Sequence, residues 1–168
     1  NNFRTMIKMN NLVGNALLIG LIMIVFSSCD PSKKYEKEQE EEIQKYLSEH
    51  PELNFVLKPS GLYYMDIVVG TGEQPVTDDT VFVYYTGYYL DGSSFDTNVD
   101  GEAFSYPVNG GWVFPGFDEG VMQMRVGGEA RLLMPSDLAY GNSGYPMPSY
   151  TPLVFEVLLD SLVAGPGR

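Results

Sequence analysis

Residues 80–90, TVFVYYTGYYL, are almost entirely aromatic or β-branched, and this segment constrains the fold more than any other. Side chains of these types favour the pleated surface of a β-strand. Asp91 and Gly92 follow at once, and an Asp-Gly pair after such a run is a strong signal for a β-hairpin. The segment therefore predicts a strand that turns back on itself and pairs in the antiparallel sense.

Similar strand patterns recur along the chain, and one short helix interrupts them. Aromatic and β-branched residues predict further strands at 62–69, 103–108, 128–134 and 152–162. Between them, FPGFDEGVMQM places Pro115 before acidic residues, which is the pattern of a helix start. Many strands with one short helix predict the α+β class, with an antiparallel sheet curled over a single helix.

The N-terminal segment is typical of a secretory signal. Arg4 and Lys8 precede an apolar run at 12–26, LVGNALLIGLIMIVF, and two serines follow the run. A positive start, a short apolar run and small residues at the exit characterise cleaved signals. The run is shorter than the roughly 20 residues that a membrane-spanning helix needs, so a permanent anchor helix is the weaker alternative. We therefore interpret 1–28 as a signal peptide.

Cys29 is the only cysteine, so the chain cannot form an internal disulfide. Its position directly after Phe26 and the two serines resembles the lipobox of bacterial lipoproteins, although an aliphatic residue is usual where Phe26 stands. In that class the equivalent cysteine is acylated and begins the mature chain. The resemblance implies lipidation of Cys29 and an exported protein, held at a membrane of the cell envelope on its periplasmic or surface face. The alternative is an unmodified cysteine near a cleavage site.

Residues 29–60 are predicted to form an acidic helical spacer. Lys, Glu and Gln dominate its first half, and the helix-forming run stops at Pro51. The second half of the run carries a narrow apolar stripe with i, i+3, i+4 spacing, formed by Ile43, Tyr46 and Leu47. Two interpretations stay open, a solvated spacer and a dimerisation or docking helix, and the shortness of the stripe favours the spacer.

Charge and composition argue against several classes of function. The chain has ten basic and 22 acidic side chains, for a net charge of −12, and Arg4 and Lys8 of the signal segment are two of the basic ones. A mature chain this acidic is repelled by nucleic acid and by anionic lipid headgroups, so we expect no nucleic-acid partner. His50 is the only histidine, and together with one cysteine it provides no ligand set for zinc. We therefore expect neither a metal site nor a cofactor.

Six motifs occur in order over most of the predicted mature chain. They are YYTG (84–87), DGSSFD (91–96), FPGFDEGV (114–121), VGGEARLLMP (126–135), AYG (139–141) and PLVFEVLL (152–159). Together they resemble the FKBP class of peptidyl-prolyl cis-trans isomerases, in the form of an exported bacterial lipoprotein. The resemblance implies an isomerase domain at 61–164 and a short tail at 165–168. It also implies a half-barrel of antiparallel strands wrapped around one short helix, with a pocket between them.

The resemblance assigns ten residues to this pocket. The implied substrate-binding residues are Tyr85, Phe95, Asp96, Phe104, Val113, Phe114, Phe117, Tyr140, Met147 and Phe155. Catalysis is assigned to the polar members Asp96, Tyr140 and Tyr85. Phe117 stands where the best-known members have tryptophan, which leaves a larger pocket, and Met147 lies on a shortened loop. The implied partners are proline-containing polypeptides and macrolide ligands of the FKBP class.

The chemistry of the expected reaction fits these residue types. Rotation about an Xaa-Pro bond faces a barrier of about 20 kcal/mol and breaks no covalent bond. A dry aromatic box can hold the proline ring and favour the twisted, less polar bond over the planar one. Tyr140 is expected to donate to a substrate carbonyl, while Asp96 sets the local field with Tyr85 as its hydrogen-bond partner.

Other interpretations remain open. Aromatic residues in a strand-rich domain are more often core than ligand contacts, so Phe155 could be purely structural. Asp96 could cap a turn. The main alternative function is a proline-binding module or holdase chaperone with little catalysis, which the altered floor at Phe117 permits. An adhesin-like surface protein that reuses the fold has no specific support.

Overall fold

The structure is a computed structural model and describes residues 31–166. By their contacts, the residues of the chain divide into two units, 1–34 and 35–168. The predicted signal peptide and the predicted lipidation site Cys29 lie outside the described residues. Within the described part of the chain, no helix combines the length and the apolar character that crossing a membrane requires.

Seven strands and two α-helices form between residues 31 and 166, with one turn of 3-10 helix. The elements follow in the order α1 (Pro31–Glu49), β1 (Val56–Leu57), β2 (Tyr63–Val68), β3 (Thr80–Tyr88), β4 (Ser94–Thr97), β5 (Phe104–Pro107), α2 (Pro115–Gln123), β6 (Gly128–Met134), the 3-10 turn (Ser136–Leu138) and β7 (Leu153–Val163). The strands predicted from the sequence all form, with ends that differ by no more than two residues. The predicted α+β class and antiparallel sheet are confirmed.

Strand β3 organises the sheet. The strand order is β1-β2-β6-β7-β3-β4, with β5 also paired to β3, and every pairing is antiparallel. One edge of β3 pairs along its whole length with β7, while β5 and β4 share the other edge. The predicted hairpin joins β3 to β4, and Gly92 has a positive φ of 83° in its turn. Residues from three strands, β4, β5 and β7, are thereby brought beside β3.

Helix α2 packs against one face of this sheet. Its buried residues include Phe117 and Val121, which belong to the same core cluster as Leu132 of β6 and Phe155 of β7. The approach is close at Gly120, where a Cβ atom would lie 2.4 Å from Cδ1 of Leu132. Each large side chain buried in this way stabilises the fold by about 1.5–3 kcal/mol. The short helix is thus fixed at a set depth above the sheet.

The stripe on helix α1 packs against the opposite face of the sheet. Ile43 is fully buried in a cluster with Leu133 and Val154, which neighbour Leu132 and Phe155 of the first core in sequence. Successive side chains of a strand point to opposite faces, so β6 and β7 are covered on both sides. The stripe therefore contacts the sheet of its own chain, and packing continues across the boundary that the sequence placed between residues 60 and 61.

Candidate active site

A cavity of about 300 Å³ opens where the start of α2 faces strands β3, β4, β5 and β7. Its lining consists of Tyr85, Asp96, Phe104, Trp112, Val113, Phe114, Phe117, Tyr140 and Phe155. Eight of the ten residues that the sequence assigned to a pocket are in this set. They come from parts of the chain that are far apart in sequence, and the pairing of the strands brings them together.

The register of the strands explains why these side chains converge. Gly87 of β3 pairs with Asp96 of β4 on one side and with Phe155 of β7 on the other. A Cβ atom at Gly87 would lie 2.5 Å from Cζ of Phe95 and 2.9 Å from Cε1 of Phe155. Real Cβ atoms do not approach other atoms so closely, so only glycine lets the two phenylalanine rings meet over β3.

Aromatic rings form the floor and walls. Phe117 and Phe155 are each 3% exposed, and their ring centres are 5.4 Å apart at an interplanar angle of 81°. Tyr85 meets Phe117 at 5.7 Å and 79°, and Phe114 meets Phe117 at 5.8 Å and 80°. These edge-to-face arrangements are favourable because the positive edge of one ring faces the negative face of the next. The rings therefore hold one another in place.

The start of α2 places Phe114 over the cavity. Phe114 has an extended backbone, with φ −69° and ψ 153°, and Pro115 follows it as the first helical residue. A residue before proline is restricted to such extended conformations, and proline suits the first turn because that turn needs no donor there. The carbonyl of Phe114 accepts hydrogen bonds from the amides of Phe117 and Asp118, both at 3.2 Å. The helix start therefore fixes the position of the Phe114 side chain.

A tyrosine and a carboxylate form a pair at the edge of the cavity. The Tyr85 hydroxyl donates a hydrogen bond of 2.8 Å to Oδ2 of Asp96. Burial, followed by the hydrogen bond to Asp96 and its negative charge, raises the pKa of Tyr85 to about 12. The phenol therefore stays protonated at neutral pH and holds the exposed carboxylate in one orientation.

Tyr140 supplies a second phenol on the other side. Its ring centre is 5.3 Å from that of Phe114. Burial, with a smaller effect of the Asp96 charge, raises the pKa of Tyr140, so this hydroxyl also keeps its proton. The polar side-chain groups that line the cavity are thus one carboxylate, two phenols and the indole N–H of Trp112. Within residues 31–166, His, Cys, Asp and Glu side chains form no group of three that could hold a metal ion.

Phe95 and Met147 lie beside the cavity and do not line it. The Phe95 ring is 5.2 Å from that of Tyr89 and 5.6 Å from that of Phe155. Met147 is 7% exposed, and its sulfur accepts a hydrogen bond of 3.0 Å from the Tyr89 hydroxyl. In this arrangement Phe95 supports the ring of Phe155 through an edge-to-face contact. Direct contact of Phe95 or Met147 with substrate stays a prediction.

Trp112 is a lining residue that the sequence analysis missed. It is 73% exposed and lies at the mouth of the cavity, in the loop that follows β5. It is the only tryptophan in the chain and directly precedes Val113, which the family resemblance assigns to the pocket. That position was the one available signal, since a loop after Gly110 and Gly111 has no periodic pattern.

A buried polar pair lies behind the floor. The Tyr106 ring, 1% exposed, is 6.2 Å from that of Phe117. Burial raises the pKa of Tyr106, and the neighbouring Asp118 carboxylate adds to the effect. Asp118 lies in the first turn of α2 and accepts a hydrogen bond of 2.8 Å from the Asn109 amide, yet burial raises its own pKa.

Residues 71–160 match the family model of the FKBP-type peptidyl-prolyl cis-trans isomerases. The isomerase FkpA of Aeromonas hydrophila is 45% identical over 102 residues, which are 60% of this chain and 37% of that protein. FK506-binding protein 4 of Dictyostelium discoideum is 42% identical over 113 residues, which are 66% of this chain and 31% of that protein. The chain thus spans about a third of the length of these curated relatives.

Solved structures share the fold. FkpA from Escherichia coli superposes with a TM-score of 0.66 at 33% identity, covering 80% of this chain and 65% of that one. A peptidyl-prolyl cis-trans isomerase from Pseudomonas syringae pv. tomato gives a TM-score of 0.67 at 25% identity, covering 82% of this chain and all of that one. Because the family model matches more than half of the 168 residues and the fold agrees, this chain belongs to the FKBP-type peptidyl-prolyl cis-trans isomerase family.

Proposed function

We propose that this protein accelerates the cis-trans isomerisation of Xaa-Pro bonds in exported polypeptides. The observation that carries the proposal is the cavity of about 300 Å³, whose floor is the edge-to-face pair Phe117 and Phe155 and whose edge carries the Tyr85–Asp96 hydrogen bond. A space of this size and character suits a proline ring. Its open mouth leaves room for the rest of a polypeptide chain.

The apolar floor supplies the first part of the mechanism. Resonance in a planar imide places partial negative charge on oxygen and partial positive charge on nitrogen, and water stabilises this charge separation. Rotation removes the resonance, so the twisted bond is less polar. A cavity that replaces water by the rings of Phe114, Phe117 and Phe155 therefore stabilises the twisted bond relative to the planar one. No covalent intermediate is needed.

The polar edge supplies the second part. The Asp96 carboxylate, oriented by Tyr85, disfavours negative charge on a substrate carbonyl that lies near it, and this again weakens the planar form. The protonated Tyr140 hydroxyl can donate to a carbonyl of the bound chain and hold it while the bond turns. These two groups act through field and position, and the proline ring itself is held by the aromatic walls.

A proline-peptide isomerisation assay tests this proposal. We expect the purified protein to accelerate isomerisation, and Tyr140→Phe to lower kcat/KM by about tenfold, the effect of one lost transition-state hydrogen bond. Asp96→Ala should lower it as well. Asp100→Asn is a matched control, because Asp100 is an exposed acidic residue shortly after Asp96 that does not line the cavity. Proline-peptide binding without any acceleration would support the holdase alternative instead.

Macrolide binding by the same cavity is a further part of the proposal, since FKBP-type relatives are named for a ligand of this class. Trp112 is the only tryptophan and lies at the mouth, so its fluorescence should change when a macrolide enters. A proline peptide at saturating concentration should compete with that change. Fluorescence that is indifferent to the macrolide would contradict a shared site.

We also propose that Cys29 is lipidated and that the protein is anchored to a membrane of the cell envelope. The support is the order of the segments in the sequence: an apolar run at 12–26, two serines and the only cysteine. In expressing cells, Cys29→Ala should abolish fatty-acid labelling and release the protein from the membrane fraction. Unchanged membrane retention of Cys29→Ala would indicate an uncleaved apolar segment as the anchor.

A further inference from the structure

The turn that carries Tyr140 depends on the backbone of one buried residue, Ser136. Ser136 is 2% exposed and begins the 3-10 turn. Its carbonyl accepts hydrogen bonds from the amides of Ala139, at 2.9 Å, and Gly141, at 2.6 Å. These two residues flank Tyr140 on either side. The position of the Ser136 peptide therefore decides where the Tyr140 side chain begins.

Helix α1 binds the backbone N–H of Ser136. The Ser136 amide donates a buried hydrogen bond of 2.7 Å to Oε1 of Gln39, which is 97 residues earlier in the sequence. Gln39 is 9% exposed, an unusually deep position for a glutamine on a helix whose neighbours are mostly charged and exposed. A buried amide that lost this acceptor would be left unpaired, which proteins rarely tolerate.

A second contact from α1 reaches the same turn through Tyr150. The rings of Tyr35 and Tyr150 are stacked, with centres 5.0 Å apart and an interplanar angle of 11°. The Tyr150 amide donates a hydrogen bond of 3.0 Å to the carbonyl of Gly141. Gly141 is thus tied to α1 by two routes, one through Ser136 and Gln39 and the other through Tyr150 and Tyr35.

We propose that α1 positions the active site, with Gln39 and Tyr35 as positioning residues for Tyr140. The inference rests on the proposed isomerase function, because it assigns α1 a role in that reaction. Neither residue lines the cavity, so both act through the backbone of the turn. The helix is then part of the catalytic domain in function as well as in packing, and its buried glutamine fixes the turn that carries a phenol of the cavity.

The kinetic test compares two glutamines of the same helix. Gln39→Leu keeps the size of the side chain and removes the acceptor, and we expect kcat/KM to fall by roughly tenfold. Gln39→Glu retains an acceptor oxygen and should restore most of the activity. Gln44→Leu is the matched control, because Gln44 donates to the hydroxyl of Tyr63 at 3.2 Å and has no contact with the Tyr140 turn. It should leave kcat/KM unchanged.

A double-mutant cycle separates positioning from general loss of stability. If Gln39 acts through Tyr140, Gln39→Leu should have little further effect once Tyr140→Phe has removed the hydroxyl. The proposal would be overturned if the double variant lost kcat/KM by the product of the two single losses, because the two residues would then act independently. Equal losses of kcat/KM from Gln39→Leu and Gln44→Leu would also overturn it. Tyr35, 46% exposed, provides a variant that should fold if Gln39→Leu does not: Tyr35→Leu should slow the reaction and Tyr35→Phe should not.

Hydrogen exchange tests the same inference without any activity. Exchange of the Ala139 and Gly141 amides should accelerate at least about tenfold in Gln39→Leu, while amides in the centre of β7 keep the wild-type rate. Unchanged exchange at both amides would overturn the positioning role. If wild type shows no isomerase activity but Gln39→Leu loosens the turn, the proposed function has failed and the link between α1 and Tyr140 stands.

Discussion

The Tyr85 hydroxyl lies 2.8 Å from Oδ2 of Asp96 and donates a hydrogen bond to it across two neighbouring strands. The hairpin at Asp91 and Gly92 returns the chain so that β4 runs back along β3, and this pairing places Asp96 opposite Gly87, two residues after Tyr85. A tight turn in the sequence thus creates the polar edge of the cavity. Tyr85 orients the Asp96 carboxylate, and Asp96 raises the pKa of Tyr85. The second effect can be measured by titrating the phenol.

Replacing Asp96 should lower the pKa of Tyr85. In wild type the pKa is raised to about 12, first by burial and then by the hydrogen bond and charge of Asp96. Asp96→Asn removes the charge and leaves the burial, so we expect a pKa below about 12 that remains above the ordinary value of about 10. Tyrosine ring-carbon NMR over a pH series gives the measurement, with Tyr85→Phe to identify the signal. An unchanged pKa in Asp96→Asn would show that the carboxylate has no influence on the phenol.

Substitution of Gly87 by alanine should destabilise the domain. The new Cβ would lie 2.5 Å from Cζ of Phe95, so the ring must move out of a packed cluster. Overpacking of this kind costs about 1–3 kcal/mol in the free energy of unfolding. Urea unfolding measures the loss. Gly101→Ala is the control, because the atom nearest to its new Cβ is a carbonyl oxygen at an ordinary 3.5 Å, and its stability should stay near that of wild type.

Asp118 should make the protein less stable as the pH rises from about 4. Burial raises the pKa of Asp118 in the folded state above its unfolded value. The folded state then binds a proton that the unfolded state releases, so this contribution is complete at low pH and is lost as the pH rises through the folded pKa. Asp118→Asn should remove it.

Urea unfolding at a series of pH values tests this expectation. The difference in unfolding free energy between Asp118→Asn and wild type should shift in favour of the variant between about pH 4 and pH 7. Glu119→Gln is the control, since it removes a charge from the adjacent residue of α2, which is less buried. A difference that is constant with pH would mean that Asp118 ionises as easily in the folded protein as in the unfolded chain.

Truncating Ile43 should destabilise the isomerase domain itself. Ile43 is fully buried against Leu133 and Val154 of the sheet. Removing such a side chain costs about 2–5 kcal/mol, so Ile43→Ala should lower the urea midpoint of a single transition. Glu41→Ala, which breaks only an exposed pair with Lys37, should change stability by less than about 1 kcal/mol. A separate early transition in Ile43→Ala would mean that α1 melts independently of the sheet.

Much of the fold could be predicted because long strands carry their own signal. Strand β7 and strand β3 are each a run of apolar and β-branched residues, and both formed as expected. Strand β1 was not predicted, since it has two residues, Val56 and Leu57, and both are exposed. Two residues show no periodicity. The stripe around Ile43 was visible in the sequence, but a stripe of three residues does not say which surface will cover it.

The candidate site was predicted from the order of its motifs, and its details depend on packing. The motif that supplied Asp96 also supplied Phe95, and a register shift at this point of the β3–β4 pairing interrupts the simple alternation of a strand. Only the folded sheet shows that Asp96 lines the cavity while Phe95 packs against Phe155 beside it. The contacts of Gln39 with Ser136 could not be predicted, because no local pattern connects residues 97 positions apart.

Coverage of β6 and β7 on both faces has a practical consequence for anyone who trims this chain. A fragment that starts at residue 61 would lack Ile43. Leu133 and Val154 would then be exposed to water as an apolar patch on an otherwise acidic protein. Exposed apolar patches of this kind promote self-association. Expression plasmids for crystallisation or inhibitor screening should therefore retain the chain from Tyr35 onward.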